Sequence, residues 1–259
     1  ASSSVDKVEM RIMRMSDAYT TIAEYTRHEY EVTASSGGGS GVTIPSNALL
    51  FLDASDSNSY SGTGTTWTDL SDEGNDATLV NSPSYSSSDK WFDFTGTSSQ
   101  YATLPSGFAD FTGGATFFFV ADLDAGDNWE RLIDFSGGSS DPLNVGRQQT
   151  NTNLTQEYYN GGKTGTTSNI ILNNTLASYC ITTDGTNAKY YRNGTLMQTI
   201  SYTPLPANAT RTQNDIGRSR SPNDSYFDGQ IAVIGIFNRD LSASEISDLH
   251  DYYDGIYTL

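Results

Sequence analysis

The sequence predicts an all-β fold, a sandwich or barrel of antiparallel strands. Three observations carry that expectation. Short apolar and aromatic runs follow one another, with Gly-, Asn- or Pro-containing turns between most of them and no helices intervening. Only 36% of residues are hydrophobic, while Tyr (16), Phe (11) and Gly (24) are abundant, which suits strands that turn one face to water. YYRNGTL sets Asn193-Gly194 between two β runs, the strongest local hairpin signal.

The N-terminal 33 residues carry two patterns. VEMRIMRM alternates Val8, Met10 and Ile12 on one face, and His28, Tyr30 and Val32 alternate again, which favours two strands. Val5, Val8, Ile12, Met15, Tyr19 and Ile22 also follow the 3-4 spacing of a short coiled coil. Either way the segment is too small to bury its own core. It has to pack on the rest of the chain, on copies of itself or on a partner, and so reads as an attachment device. ASSGGGSG, Ala34 to Gly41, is small, flexible and without apolar content, a linker. The organisation is an anchor at 1–33, a Gly/Ser linker at 34–43 and one large domain at 44–259.

Strand-like runs then succeed one another: NALLFLD (47–53), DATLVN (76–81), KWFDF (90–94), QYATL (100–104), ATFFFVADL (115–123) and ERLIDF (130–135). They continue with LTQEYYN (154–160), LASYCITT (176–183), AKYYRN (188–193), LMQTISY (196–202) and QIAVIGIFN (230–238). Only the end reads as helix, near 243–253. Ser242 and Glu245 form a capping box, and Ile246, Leu249 and Tyr253 share one face.

A formal net charge of −17 repels phosphate backbones and anionic lipid, so neither nucleic acid nor a membrane surface is an expected partner. The single cysteine, Cys180, lies in an apolar run and reads as a small buried residue. The N-terminus ASSSVDKVEM lacks the apolar core of a signal peptide, and the expectation is a product made in a cytoplasm.

Four blocks after the linker resemble the laminin G-like, concanavalin A-like jelly-roll domains, in the family's order. They are WTDLSDEGNDATLVNSPSY (67–85), WFDFTGTSSQYATLP (91–105), ITTDGTNAKYYRNGTL (181–196), and NDIGRS followed by YFDGQIAVIGIFNRDLSASEISDL. The resemblance implies a two-sheet antiparallel jelly roll with a short C-terminal helix. The extended form LDASDSNSYSGTGTTWTDLS is most similar to versions in tailed-phage virion proteins and large bacterial surface proteins. In such domains the oxygen-rich block from Asp69 is a tight connection. Asp69 and Ser71 bond backbone amides, Gly74 and Asn75 take left-handed conformations, and Trp67 and Leu79 enter the sandwich. Its spacing of Asp69, Asp72, Glu73, Gly74 and Asp76 does not fit an EF-hand loop.

The family includes glycoside hydrolases, which place carboxylates on one strand face, typically as E-x-D-x-x-E. No such spacing occurs here. Glu130 and Asp134 are four apart and are expected to share a strand face, Glu157 stands alone, and neither His28 nor His250 sits in a nucleophile motif. No catalytic residue is assigned and the chain is not expected to be an enzyme. No cofactor or metal is assigned either. The calcium alternative is DLDAGDN, where Asp122, Asp124, Asp127 and Asn128 offer hard oxygens, against the preferred reading of a solvated acidic turn. Sugar binding is the usual role of the fold. Tyr158, Tyr159, Tyr190, Tyr191 and Tyr226 are candidate platform rings, with none singled out and the ligand site unknown.

These readings give a non-enzymatic virion structural protein, a phage capsid decoration or appendage displaying a lectin-like jelly roll on a virion surface. Residues 1–33 would hold other virion proteins or a homo-oligomer, and a surface glycan is a further partner. The alternatives are a carbohydrate-binding adhesin module and, third, a glycoside hydrolase.

Overall fold

Sixteen strands and one α-helix appear among the described residues of the structure, a computed structural model. It describes residues 41–124, 128–137, 142–158, 163–167, 169–201 and 204–259. The described unit is Val42–Leu259. Residues 1–33, with their choice between strands and helix, lie outside the described residues.

In chain order the strands are β1 (Ala48–Asp53), β2 (Thr66–Trp67), β3 (Ala77–Val80), β4 (Ser84–Ser86), β5 (Trp91–Phe94), β6 (Tyr101–Leu104), β7 (Ala115–Leu123) and β8 (Arg131–Ser136). Then come β9 (Leu143–Arg147), β10 (Leu154–Tyr158), β11 (Lys163–Thr166), β12 (Ala177–Thr183), β13 (Asn187–Arg192), β14 (Thr195–Ser201), β15 (Gln213–Ile216) and β16 (Gly229–Phe237). One sheet runs β14-β13-β12-β7-β16-β5-β4, with β1 also on β16, and the other runs β11-β10-β9-β8-β15-β6-β3-β2. Neighbouring strands pair antiparallel throughout, as in β7 with β16 and β8 with β15. This is the expected two-sheet jelly roll.

The two sheets differ in what covers them, and the sequence records why. β7 is ATFFFVADL, apolar almost without a break, because both its faces are buried. Phe117, Phe119, Ala121 and Leu123 point into the core between the sheets. Phe118 and Val120 point the other way, into a second cluster closed by helix α1 (Ala243–Tyr257) through Ile246, Leu249 and Tyr253. The second sheet alternates instead. β6 places Ala102 and Leu104 inside with Tyr101 and Thr103 half-buried on the other side, whereas on β8, β9 and β15 the outward Asp134, Asn144 and Asp215 are polar but buried.

Helix α1 starts where expected, with the reciprocal Ser242–Glu245 capping box in place. It runs four residues past the expected end, through Gly255. The last turn stays ordered because Tyr257 stacks on Tyr253 at 6.3 Å and Ile256 joins the same cluster. The Asn193-Gly194 turn also forms as expected, both residues at positive φ (47° and 67°).

The oxygen-rich block is a structural clasp. Asp69 Oδ1 accepts the Phe51 amide at 2.8 Å and the Ser71 amide at 2.9 Å, while Oδ2 accepts the Ser71 hydroxyl at 2.6 Å and the Asn75 amide at 2.8 Å. Four donors fill one carboxylate, and the block fixes Trp67 and Leu79 in the core. Gly74 is left-handed (φ 68°), but Asn75 is not; its side-chain amide donates to the Leu49 carbonyl at 2.8 Å.

Candidate functional site

The outer face of the second sheet, away from helix α1, carries an unbroken row of polar side chains. Strand register aligns Thr66 with Thr78, Thr78 with Thr103, Thr103 with Asp215, Asp215 with Asp134, Asp134 with Asn144, and Asn144 with Glu157. Seven strands thus contribute one residue each to a single line. Cross-strand partners of this kind lie roughly 5 Å apart at Cβ.

At the Asp134–Asn144–Glu157 end of the row the surface sinks into a cavity of about 440 Å³. The segment Ser219–Asp224 forms one wall and Trp129 and Arg131 another. The charges are interlocked. Arg131 Nη2 lies 3.3 Å from Glu157 Oε2 and 3.7 Å from Asp224 Oδ2. Arg220 Nε lies 2.8 Å from Asp215 Oδ2, with Arg218 Nη1 at 3.7 Å from the same oxygen. Asp134 Oδ2 accepts the Arg220 amide at 2.9 Å. Burial pushes the carboxyls of Asp134 and Asp215 up from their usual range, against the pull of the nearby arginines.

Trp129 is the aromatic element of this wall. Its ring centroid lies 5.1 Å from the Arg131 guanidinium carbon, a cation–π contact. Its φ of 57° is a conformation that a bulky side chain rarely takes. Both neighbours are pinned. Asn128 exchanges bonds with Ser225, amide to Oγ at 3.2 Å and carbonyl from the Ser225 amide at 2.8 Å. Glu130 is fully buried against Arg147. That arginine also donates to the carbonyls of Leu123 (3.2 Å), Asp124 (2.8 Å) and Asn151 (2.9 Å) and to Asn173 Oδ1 (2.8 Å). A second aromatic patch is joined to the row through Asp215. Arg218 stacks over Tyr101 at 4.8 Å, and Tyr226 lies 6.2 Å from Tyr101.

Glu130 and Asp134 do not share a strand face, contrary to expectation. The register shifts between Arg131 and Ile133, and one extra residue reverses the alternation. Glu130 therefore joins Arg147, itself wholly buried, while Asp134 faces the cavity. Gly146 permits the local fit, since a Cβ there would stand 2.2 Å from the Glu130 carbonyl oxygen. Of the candidate tyrosines, Tyr158, Tyr190 and Tyr191 are buried, Tyr191 beneath the helix, so none is a platform. Tyr159 lies outside the described residues, and half-buried Tyr226 alone reaches the outer face. In the acidic turn Asp127 lies outside the described residues. The Leu123 and Asp124 carbonyls are taken by Arg147. Among the described residues no group of three or more His, Cys, Asp or Glu is placed to hold a metal ion. His250 Nδ1 lies 3.1 Å from the Ser178 hydroxyl, a part-buried tie of the helix to β12. Sequence reasoning passed over Trp129, Arg131, Asn144 and Asp224 as a site. The one local signal was a tryptophan two residues before an arginine in NWER.

Among curated proteins, no sequence matches this chain. Solved structures resemble it at low identity and so speak to the fold. The binding domain of botulinum neurotoxin DC, solved in complex with rat synaptotagmin II, matches with a TM-score of 0.61 and 16% identity over 80% of this chain and 52% of that one. Trypanosoma rangeli sialidase matches with a TM-score of 0.57 and 18% identity over 83% of this chain and 34% of that one. Domain 4 of an extracellular arabinanase from Geobacillus stearothermophilus, in complex with arabinotriose, matches with a TM-score of 0.61 and 13% identity over 79% of this chain and 98% of that one. The chain thus spans about half the length of the toxin binding domain and about a third of the sialidase, but corresponds to nearly all of the arabinanase domain. A family model matches residues 94–247, more than half of the 259 residues, and by that match the protein belongs to the concanavalin A-like lectin/glucanases superfamily, as a laminin G-type member.

Proposed function

We propose that the chain is a non-catalytic carbohydrate-binding module that holds a sugar in the cavity beneath Trp129. One observation carries this reading. An aromatic ring is held on the wall of a polar, charge-lined cavity, on the outer side of the sheet that helix α1 does not cover. A sugar presents apolar C–H patches and many hydroxyls, so it needs an aromatic surface beside fixed donors and acceptors. The nearby carboxylates support binding over hydrolysis. Asp134 and Asp215 are each tied to the Ser219–Arg220 segment, while a glycosidase pair needs one carboxyl free to give a proton and one free to attack or to activate water. The arabinanase domain, similar over nearly its whole length and solved with a bound trisaccharide, supports the same reading.

The test is a glycan array probed with the full chain and with Trp129→Ala. Retention of one or more glycans by the native chain, lost in the variant, is the expected result. No retention by the native chain, or retention that the variant keeps, removes the reading.

A second proposal concerns where the module sits. Residues 1–33 carry Lys7, Arg11, Arg14 and Arg27, a large share of the 14 basic residues, so their charge is near neutral while the rest is strongly acidic. Joined through a Gly/Ser linker, such a segment suits burial in a virion protein, leaving the jelly roll projecting from the particle.

A further inference from the structure

We infer that the cavity beneath Trp129 selects neutral sugars and rejects those that carry a carboxylate or sulfate. This rests on the carbohydrate reading and fixes its ligand class.

The cavity is lined by three carboxylates (Asp134, Glu157, Asp224) and two guanidinium groups (Arg131, Arg220), one formal negative charge in excess. Every guanidinium already faces a carboxylate. An anionic ligand reaching Arg131 has to displace Glu157 or Asp224, whose side chains are only 12% exposed. The displaced carboxylate is then poorly solvated and without its cation, a costly arrangement. The formal charge of −17 repels an anion before it arrives.

The unused hydrogen-bonding groups point the same way. Arg131 is 5% exposed, and its Nε and Nη1 are buried donors with no partner among the described residues. Asn144 is also 5% exposed, and its Oδ1 is a buried acceptor in the same condition. Both residues line the cavity. An unpaired donor and an unpaired acceptor together suit a hydroxyl, which accepts one bond and gives another. A carboxylate or sulfate oxygen in the same place satisfies the Arg131 donors but leaves Asn144 Oδ1 facing an anion. The pattern of a hydroxyl on a ring carbon beside an aromatic surface is that of a pyranose or furanose, and the carboxylates paired to Arg131 favour its neutral members.

The experiment is calorimetric titration of the full chain at low salt with paired oligosaccharides, each neutral sugar beside its uronate, sialylated or sulfated counterpart. The native chain is expected to bind the best neutral member at least about tenfold tighter than its anionic partner. Glu157→Gln combined with Asp224→Asn frees Arg131 and is expected to narrow that gap by about tenfold. A native chain that prefers the anionic members overturns the inference and leaves the carbohydrate reading standing. A gap that the double variant leaves unchanged also overturns it, since the carboxylates would not be its source. Failure to bind either class removes the carbohydrate reading, and the inference with it. The native comparison needs no variant to fold.

Discussion

The Tyr253 hydroxyl, on the C-terminal helix, donates to Asp53 Oδ2 at 2.8 Å, joining the last helix to the end of the first strand of the sandwich. Both groups are buried, at 0% and 1% exposure. Burial drives the Asp53 carboxyl above its ordinary range, and the bonds from Ser55 and Tyr253 only partly offset that. Tyr253→Phe removes a donor from a buried carboxylate and should cost about 1–3 kcal/mol. A raised carboxyl confers stability that is complete below its unfolded pKa and lost as pH rises through its folded one. The variant raises that folded pKa further, so its deficit should be largest near neutrality and shrink on acidification. Urea titrations at a series of pH values measure both effects; a deficit that grows toward acid contradicts the assignment.

Glu130 and Arg147 form a wholly buried ion pair that also holds the Leu123–Asp124 backbone. Arg147→Met leaves Glu130 without its cation and the Leu123 and Asp124 carbonyls without their donor. The expected loss is about 3–5 kcal/mol, against less than about 1 kcal/mol for a substitution at an exposed charge. Equilibrium unfolding decides it.

Trp129 takes its φ of 57° at a cost that glycine would not bear. Trp129→Gly and Trp129→Ala both remove the ring, and both should abolish glycan retention. Glycine should nonetheless be the more stable of the two by about 1 kcal/mol, because alanine keeps the strain. Equal melting temperatures for the two variants would show that the positive φ at this position carries no strain.

The Glu245 carboxyl accepts from Arg239 and from the Ser242 amide and hydroxyl, which lowers it from 4.5 to about 2. A depressed carboxyl contributes stability that is present above its unfolded pKa and disappears as pH falls through the folded value. Glu245→Gln should therefore lower the melting temperature at pH 7 and converge on the native protein between pH 4.5 and about 2. Parallel melting curves across that window would show that the capping box does not carry this linkage.

Deletion of residues 1–33 should leave the jelly roll folded, because the described unit begins at Val42 and has its own core. The truncated protein should keep its β-dominated far-ultraviolet spectrum and lose incorporation into particles or oligomers. Normal assembly by the truncated chain would move the contact surface onto the sandwich.

What the sequence determined by itself is local. The capping box of Ser242 and Glu245 and the Asn193-Gly194 turn each act within a few residues, so composition and spacing suffice to read them, whereas Asp69 also holds the Phe51 amide 18 residues away. Long runs such as ATFFFVADL announce their strands because burial on both faces leaves them no polar interruption. Short strands escaped notice, among them β9, where Asn144, Gly146 and Arg147 interrupt the apolar pattern. Tertiary structure alone decided the site. The line from Thr66 to Glu157 is assembled from seven strands by register, which no local pattern encodes. The opposite facing of Glu130 and Asp134 follows from a bulge opposite Gly146, a close approach of two backbones that neither stretch signals alone. Alternation along a strand predicts a face only while the register holds. It does not say which face another element will cover, and here the helix covers one sheet and not the other.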